Sequence, residues 1–173
     1  MSAQDSKLFV ISGPSGAGKG TLVTRVRERR SNLGLTVSAT TRAPRKGEVD
    51  GVNYFFLTRE EFDRRVANGE FVEWAEVHGN CYGTLVSEVQ SKLASGSSLI
   101  LEIDVQGALQ VKERFPEAVL IFIKPPSLEV LRERLVGRGT ETPETIELRM
   151  ANAADELALA DRYDDVVVND DLD

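Results

Sequence analysis

The segment GPSGAGKG, residues 13–20, has the composition and spacing of a phosphate-binding loop. Its glycines let successive backbone N–H groups point toward one anion, and Lys19 is spaced to reach the β- and γ-phosphates of a nucleoside triphosphate. An apolar run precedes the segment and a helix-like stretch follows it, so the positive end of a helix would support the same anion. A glycine-rich turn without a ligand is the alternative, but it leaves the lysine at this spacing unexplained. The residues predicted to contact the triphosphate are Gly13, Pro14, Ser15, Gly16, Ala17, Gly18, Lys19, Gly20 and Thr21.

Gly20 departs from the usual pattern G-x-x-x-x-G-K-[ST], in which a hydroxyl at this position ligates magnesium. A nucleoside monophosphate kinase can leave the Mg²⁺ ion mostly to water and to the phosphates of its substrates. We therefore expect Mg²⁺ as a cofactor without a direct protein ligand. The hydroxyl of Thr21 is a candidate for the outer coordination shell.

A second anion site is predicted within VSATTRAPRKGEVDGVNY, residues 37–54. Two guanidinium groups, those of Arg42 and Arg45, occur there with the hydroxyl groups of Ser38 and Tyr54. Forked donors of this kind suit the dianion of a terminal phosphate and would let an acidic protein hold an acidic substrate. The alternative is a solvated basic loop. The phosphate loop upstream favours the binding site.

Two carboxylates occur at the end of a buried apolar run in LEID, residues 101–104. Open α/β sheets bind ligands beyond the carboxyl ends of their strands, so Glu102 and Asp104 are candidates for substrate contact. Asp104 is suited either to orienting a magnesium-bound water or to contacting a ribose, and both roles stay open.

The elements that must position these residues alternate along the chain. Short apolar runs rich in β-branched residues predict buried parallel strands, and the stretches between them predict helices, the last two with N-caps at Ser127 and Thr142. The predicted strands are Leu8–Ile11, Leu99–Ile103, Val119–Ile123 and Val166–Val168, and the predicted helices are Lys19–Arg30, Val105–Arg114, Leu128–Val136 and Pro143–Arg162. This order predicts an α/β fold, a parallel sheet with helices on both faces.

The middle of the chain interrupts the alternation. Residues 53–57 and 70–77 resemble antiparallel strands, and Arg59–Asn68 between them resembles a helix. Thr58 and Glu61 are spaced as a capping box for that helix.

A chain of 173 residues suffices for one compact domain with room for inserts of its own. We predict a small mixed α/β insertion at residues 35–90, on a core of residues 1–34 and 91–173. The glycine-containing connection at about residues 137–144 is predicted to be mobile.

Composition argues against several classes of protein. The net charge of −7 and the pI near 4.9 oppose nucleic-acid and membrane-surface binding, because phosphate backbones and acidic lipids select basic faces. No apolar run approaches the roughly 20 residues that span a bilayer. The single cysteine, Cys81, cannot form an internal disulfide, which agrees with a reducing cytoplasm. We expect a cytoplasmic protein whose partners are small anionic molecules.

Six motifs, found in order between Leu8 and Asp173, resemble those of the guanylate kinase family. They are GPSGAGKG, SATTRAPRKGEVDGVNY, GEFVEWAEVHGNCYGT, LEIDVQGA, GRGTET and VVVNDDLD. The resemblance implies a P-loop core with a GMP-binding insertion and a lid. It also implies magnesium-dependent transfer of phosphate from ATP to GMP, giving ADP and GDP, in purine nucleotide metabolism.

The resemblance implies the GMP site residue by residue. The phosphate would lie among Ser38, Arg42, Arg45, Tyr54 and Tyr82, guanine would contact Glu73 and Thr84, and Glu102 and Asp104 would complete the site. A carboxylate can accept both the N1–H and the N2 amine of guanine, while a hydroxyl donates to O6. Adenine has no N2 amine and an unprotonated N1, so a site of this type rejects AMP. Many family members have aspartate where this chain has Glu102.

The resemblance also implies the residues that act on the donor. Arg138 in GRGTET and Arg149 on the next helix are expected to close over the transferring phosphoryl group with Lys19, and Arg134 is a weaker candidate. Asn169 is expected to border the adenine of ATP.

Two other functions agree with part of the sequence. A P-loop kinase of another small phosphorylated acceptor, such as a ribose-bisphosphate kinase, would not need Glu73 with Thr84. A guanylate-kinase-like scaffold domain that binds phosphopeptides typically lacks the catalytic cations, whereas Lys19, Arg138 and Arg149 are present. The expected chemistry is direct in-line transfer without a covalent intermediate.

Overall fold

The computed structural model describes residues 6–170, which form two β-sheets and the helices that cover them. The strands are β1 (Leu8–Ser12), β2 (Leu33–Leu35), β3 (Ala39–Thr40), β4 (Phe55–Phe56), β5 (Phe71–Val77), β6 (Asn80–Leu85), β7 (Ser98–Glu102), β8 (Val119–Lys124) and β9 (Asp165–Val168). The helices are α1 (Lys19–Arg29), α2 (Arg59–Ala67), α3 (Val86–Ala94), α4 (Val105–Arg114), α5 (Leu128–Gly137) and α6 (Pro143–Leu157), followed by a 3₁₀ turn at Ala160–Arg162.

The larger sheet has five parallel strands in the order β2–β7–β1–β8–β9. Successive side chains of a strand point to opposite faces. Val10 in β1 accordingly lies in a core with residues of α3 and α4, whereas Ile11 lies in a second core with residues of α1. Helices therefore cover both faces of the sheet, and the predicted α/β fold is confirmed.

The smaller sheet has four strands in the order β4–β3–β6–β5 and its own apolar core. Phe62 of α2 is fully buried there, with its ring centroid 4.4 Å from that of Phe71. β5 pairs antiparallel with β6, as expected of a sheet in this segment. The prediction that residues 53–57 form an antiparallel strand is wrong, because β4 pairs parallel with β3. The long loop between these two strands returns the chain to the end of the sheet from which β3 starts.

The predicted helix at Pro143–Arg162 is too long. α6 ends at Leu157, and Ala160–Arg162 forms a separate 3₁₀ turn. Leu157, Leu159 and Ala160 all pack against the core that contains Tyr163, so the chain has to turn inward here and cannot continue as a straight helix.

The predicted N-caps are present at Ser127, Thr142 and Thr58, whose side chains accept backbone hydrogen bonds from the first turns of α5, α6 and α2. The capping box of α2 is only half formed. Thr58 accepts from the backbone N–H of Glu61, while the Glu61 carboxylate accepts a 3.0 Å hydrogen bond from Arg65.

No helix among residues 6–170 combines the length and the apolar character needed to cross a membrane.

Candidate active site

Two cavities meet at the carboxyl edge of the larger sheet, where open α/β sheets place their ligands. The larger, of about 780 Å³, lies between α1, α4 and the smaller sheet. The smaller, of about 320 Å³, lies over the loop between β1 and α1. Gly20 and Glu102 line both cavities, so the two have one wall in common.

The loop between β1 and α1 presents the positive end of a helix to the smaller cavity. Gly18 is the N-cap of α1, with φ of +86°, a conformation that glycine adopts without strain. No side chain in the part of the chain that the structure describes caps this end, and the first turn contains no acidic residue. The first backbone N–H groups of α1 therefore have no intrahelical acceptor and remain available to an anion.

Lys19 lines the smaller cavity and folds back over the loop, where its Nζ donates a hydrogen bond to the carbonyl oxygen of Gly13. Burial lowers the pKa of the Lys19 amine, while the negative charges of Glu156 and Glu102 oppose that shift. The cation is therefore held beside the loop before any phosphate arrives.

The two predicted lid arginines lie beside the same loop. Arg138 follows α5 and lines the smaller cavity. Arg149 of α6 donates a hydrogen bond to the Ser15 hydroxyl, and its Nε lies 2.9 Å from a carboxylate oxygen of Glu141. The structure thus brings Lys19, Arg138 and Arg149 together around one loop.

Asn169 lies directly after β9, is 7% exposed and lines neither cavity. Its side-chain amide donates to the carbonyl oxygen of Ala17 at 2.8 Å. Arg134 donates to the backbone carbonyl oxygen of Asn169, also at 2.8 Å. The expected contact of Asn169 with adenine stays a prediction, and the end of the VVVNDDLD motif, residues 171–173, lies outside the described residues.

Three of the five residues expected around the acceptor phosphate line the larger cavity, namely Ser38, Tyr54 and Tyr82. The rings of Tyr54 and Tyr82 meet edge to face, with centroids 6.2 Å apart. Arg42 does not line the cavity, but its guanidinium carbon lies 5.3 Å from the centroid of the Tyr54 ring. Arg45 is exposed and does not line the cavity.

Glu48 orients Arg42, a contact that the sequence analysis missed. The Nη1 and Nη2 atoms of Arg42 donate to the two oxygens of Glu48 at 2.9 and 3.0 Å, and Nη1 also donates to the carbonyl oxygen of Ala43. Glu48 raises the pKa of Arg42, and Arg42 lowers the pKa of Glu48. The side chains of Tyr54 and Tyr82 also raise the pKa of Arg42, so its guanidinium lies beside the two tyrosines that line the cavity.

Glu73 and Thr84 meet across β5 and β6 on the wall of the larger cavity. The Thr84 hydroxyl donates to Oε1 of Glu73 at 2.7 Å. Burial raises the pKa of the Glu73 carboxyl above its ordinary value, and the Thr84 hydrogen bond opposes the shift. A half-buried carboxylate beside a hydroxyl can recognise two N–H donors and one acceptor on the edge of a flat base.

Asp104 serves as the N-cap of α4, where its Oδ1 accepts a hydrogen bond from the backbone N–H of Gly107 at 2.7 Å. A β-carbon placed on Gly107 would lie within 3.6 Å of both Oδ1 of Asp104 and Oε2 of Glu73. The two carboxyl groups therefore face the same glycine. Capping α4 is a structural role of Asp104, whichever of its two predicted functional roles applies. Its position directly before a helix could have indicated the capping role from the sequence.

Five further polar residues line the larger cavity, and the sequence analysis did not single them out: Thr24, Arg27, Thr36, Gln106 and Gln110. The helical members follow helix periodicity. Thr24 lies four residues after Gly20 on α1, and Gln110 lies four residues after Gln106 on α4. For the residues on helices, that spacing is the only signal in the sequence that could have assigned them to this wall.

The donor atoms around the smaller cavity fit a magnesium ion that keeps most of its water. Within residues 6–170 there is no group of three or more His, Cys, Asp or Glu side chains able to hold a metal. The cavity does contain hard oxygen donors, the Thr21 hydroxyl and the Glu102 carboxylate. Mg²⁺ typically takes one or two protein oxygens together with water and phosphate, so this sparse set is compatible with it.

The fold is that of the P-loop phosphotransferases. Comparison with known proteins is more specific: residues 5–173 match the guanylate kinase family. The guanylate kinase of Gloeobacter violaceus is 59% identical over 167 residues, 96% of this chain and 82% of that protein. That of Halalkalibacterium halodurans is 54% identical over 172 residues, 99% of this chain and 84% of the relative.

A crystal structure of guanylate kinase from Anaplasma phagocytophilum superimposes with a TM-score of 0.65 at 38% identity, covering 96% of this chain and 78% of that one. The chain belongs to the guanylate kinase family.

Proposed function

We propose that this chain transfers the γ-phosphoryl group of ATP to GMP, giving ADP and GDP. Membership of the guanylate kinase family supports the reaction, and the two cavities with a common wall suit two nucleotides that exchange a phosphoryl group. The observation that carries the choice of acceptor is the Glu73–Thr84 pair, a half-buried carboxylate that accepts a 2.7 Å hydrogen bond from a hydroxyl.

In the proposed complex, guanine enters the larger cavity and donates its N1–H and N2–H to Glu73. The Thr84 hydroxyl then turns from Glu73 to donate to O6. AMP cannot supply the two donors, so a partly desolvated carboxylate would lose two hydrogen bonds, a cost that sites of this kind turn into about 10⁴-fold discrimination or more.

The GMP phosphate lies, on this proposal, among the hydroxyls of Ser38, Tyr54 and Tyr82 and the guanidinium of Arg42. Glu48 occupies one edge of that guanidinium, which fixes the direction of the remaining donors. Arg45 is exposed and would join the phosphate only if the loop moves inward.

The triphosphate of ATP lies over residues 13–21, and Lys19 leaves the carbonyl oxygen of Gly13 to bind the transferring group. Arg138 and Arg149 contribute further positive charge as it passes between the substrates. Phosphoryl transfer needs positioning and charge neutralisation more than covalent chemistry, so fixed cations supply most of what the reaction requires.

Magnesium would be held by the substrate phosphates and water, with the Thr21 hydroxyl and the carboxylates of Glu102 and Asp104 as outer-shell acceptors or donors. When bound, the ion neutralises phosphate charge. The residues of the chain hold its water shell in place and exclude bulk water from the cleft.

A coupled assay of ADP release tests the function, with GMP, dGMP, AMP and CMP as acceptors. We expect GMP to be the best acceptor, with a kcat/KM about four orders of magnitude higher than that of AMP. Lys19→Met should lower kcat by at least about a hundredfold while the protein stays folded by circular dichroism. Equal turnover with AMP and GMP, or near-normal turnover of the Lys19 variant, would refute the proposal.

A further inference from the structure

Three groups of Asn169 form hydrogen bonds with distant parts of the chain: its backbone N–H, its backbone carbonyl and its side-chain amide. Its backbone N–H donates to the carbonyl oxygen of Lys124 at 2.8 Å, which extends the pairing of β9 with β8 by one residue. Its carbonyl oxygen accepts from Arg134 of α5. With its main chain fixed at both ends, the side chain has a defined direction, and that direction is toward the phosphate loop.

The side-chain amide of Asn169 donates to the carbonyl oxygen of Ala17 at 2.8 Å, in a buried setting. This carbonyl belongs to the peptide unit that joins Ala17 to Gly18. In a planar trans peptide the C=O and N–H bonds point in opposite directions. Holding the carbonyl on Asn169 therefore turns the N–H of Gly18 away from Asn169.

Gly18 gives an independent sign that the amide is built into the loop. A β-carbon on Gly18 would overlap the side-chain nitrogen of Asn169, so the amide occupies the space that any other residue would fill. The φ of Gly18 is +86°, which disfavours larger residues as well. Loop backbone and Asn169 side chain therefore fit each other at this point.

We propose that Asn169 is a positioning residue of the phosphate loop: it fixes the Ala17–Gly18 peptide so that its N–H faces the donor's phosphates. The inference rests on the proposed ATP site and deepens it. It differs from the expected role of Asn169 at the adenine, because a residue that acts through the loop affects the binding of any polyphosphate, with or without a base.

Inorganic tripolyphosphate, which has no base, separates the two roles. Its dissociation constant and that of ATP are measured by calorimetry for the wild-type chain and for Asn169→Leu, which keeps the branching of the side chain and loses the donor. We expect both constants to rise about tenfold, the loss of one buried hydrogen bond, while that of GMP stays within about twofold. Asn32→Leu is the matched control, because Asn32 is exposed and immediately precedes β2 at the opposite edge of the sheet.

Asn169→Asp provides a second variant of nearly the same shape, in which an acceptor faces the Ala17 carbonyl. Its loss of tripolyphosphate binding should persist at about 0.5 M salt, where simple charge repulsion is largely screened. Unchanged tripolyphosphate binding in either folded variant would overturn the inference, even if ATP binding fell. A wild-type chain that bound neither ATP nor tripolyphosphate would instead overturn the proposed donor site, and the inference with it.

Discussion

Burial of Glu73 links recognition of guanine to pH. The carboxyl has a raised pKa because it is desolvated on the cavity wall. Only the ionised carboxylate has two oxygens free of protons, so only this form can accept both hydrogen bonds from guanine. As the solution is acidified, GMP binding should therefore weaken at a higher pH than it would with an ordinary carboxyl, whose pKa is 4.5.

We predict that the KM for GMP rises as the pH falls through the raised pKa of Glu73, and that Glu73→Gln lacks this dependence. The variant should also bind GMP more weakly at neutral pH, by about tenfold or more, because an amide accepts with only one of its two groups. Steady-state kinetics across pH, with both proteins compared at each value, cancels the titration of the GMP phosphate. An identical pH profile for the two proteins would contradict the assignment of Glu73 to guanine.

Stability gives a second readout of the same carboxyl. Because its pKa is raised on folding, the folded state binds more protons, and stability falls as the pH rises from 4.5 through the folded value. Glu73→Gln should remove that loss. At neutral pH we therefore expect a thermal midpoint no lower than that of the wild type, which would separate the defect in binding from any defect in folding.

Single residues differed in how far the sequence could predict them. The loop of residues 13–20 was singled out from the sequence because its residue types and their spacing suit phosphate binding. The Arg42 segment was singled out because its guanidinium and hydroxyl groups suit the same chemistry. Glu48 and the loop contact of Asn169 were not found, because each acts through a partner: Glu48 pairs with Arg42 across a turn, and Asn169 lies 152 positions from Ala17. A pattern of residue types gives no sign of such pairings.

At the scale of elements, the first turn of α1 packs against the end of β7. A β-carbon on Gly20 would lie 3.6 Å from a carboxylate oxygen of Glu102, an ordinary van der Waals distance. A serine therefore fits at position 20, and its hydroxyl would lie within reach of Glu102. The hydroxyl that other phosphate loops use for magnesium would have a protein acceptor next to it here.

We predict that Gly20→Ser changes the apparent affinity for magnesium little, by about threefold at most, because the ion is held chiefly by water and phosphates. Thr21→Ala should lower turnover more, since it removes an outer-shell hydroxyl. Magnesium titrations of turnover at fixed ATP and GMP measure both effects. A tenfold gain in affinity with serine would show that the natural loop is a compromised metal site.

Elements with strong periodicity were predicted nearly to the residue, while several short ones were missed. The helix at Val105–Arg114 agrees in both bounds with α4, and the strand at Val119–Ile123 differs from β8 by one residue. β2 and β3 have three and two residues, too few to show an alternation. β6 reads NCYGTL, with few β-branched residues, and it is stabilised by its pairing with β3 and β5 rather than by propensity.

For the whole molecule, we propose that the insertion at residues 35–90 and the lid at about residues 137–144 move relative to the core. The larger cavity is roughly 780 Å³ and opens between the two sheets. Closure would bring the exposed Arg45 and the arginines near the lid onto the phosphates and exclude water from them.

We predict that the radius of gyration falls when GMP and a non-hydrolysable ATP analogue bind together, and that it falls less with either one alone. Small-angle X-ray scattering at matched protein concentration measures the change, and the non-hydrolysable analogue prevents turnover during the measurement. Identical scattering curves for the free and doubly bound protein would show that the enzyme does not close.

The wall common to both cavities has a consequence for inhibitors. Because Gly20 and Glu102 line each cavity, the two cavities are adjacent, and a molecule in which adenosine and guanosine are joined through one polyphosphate chain is suited to reach both. Once one half was bound, the tether would hold the other near its cavity at an effective concentration in the millimolar range. Such a compound would bind far more tightly than either nucleotide, and the best number of linking phosphates would measure the distance between the two sites in solution.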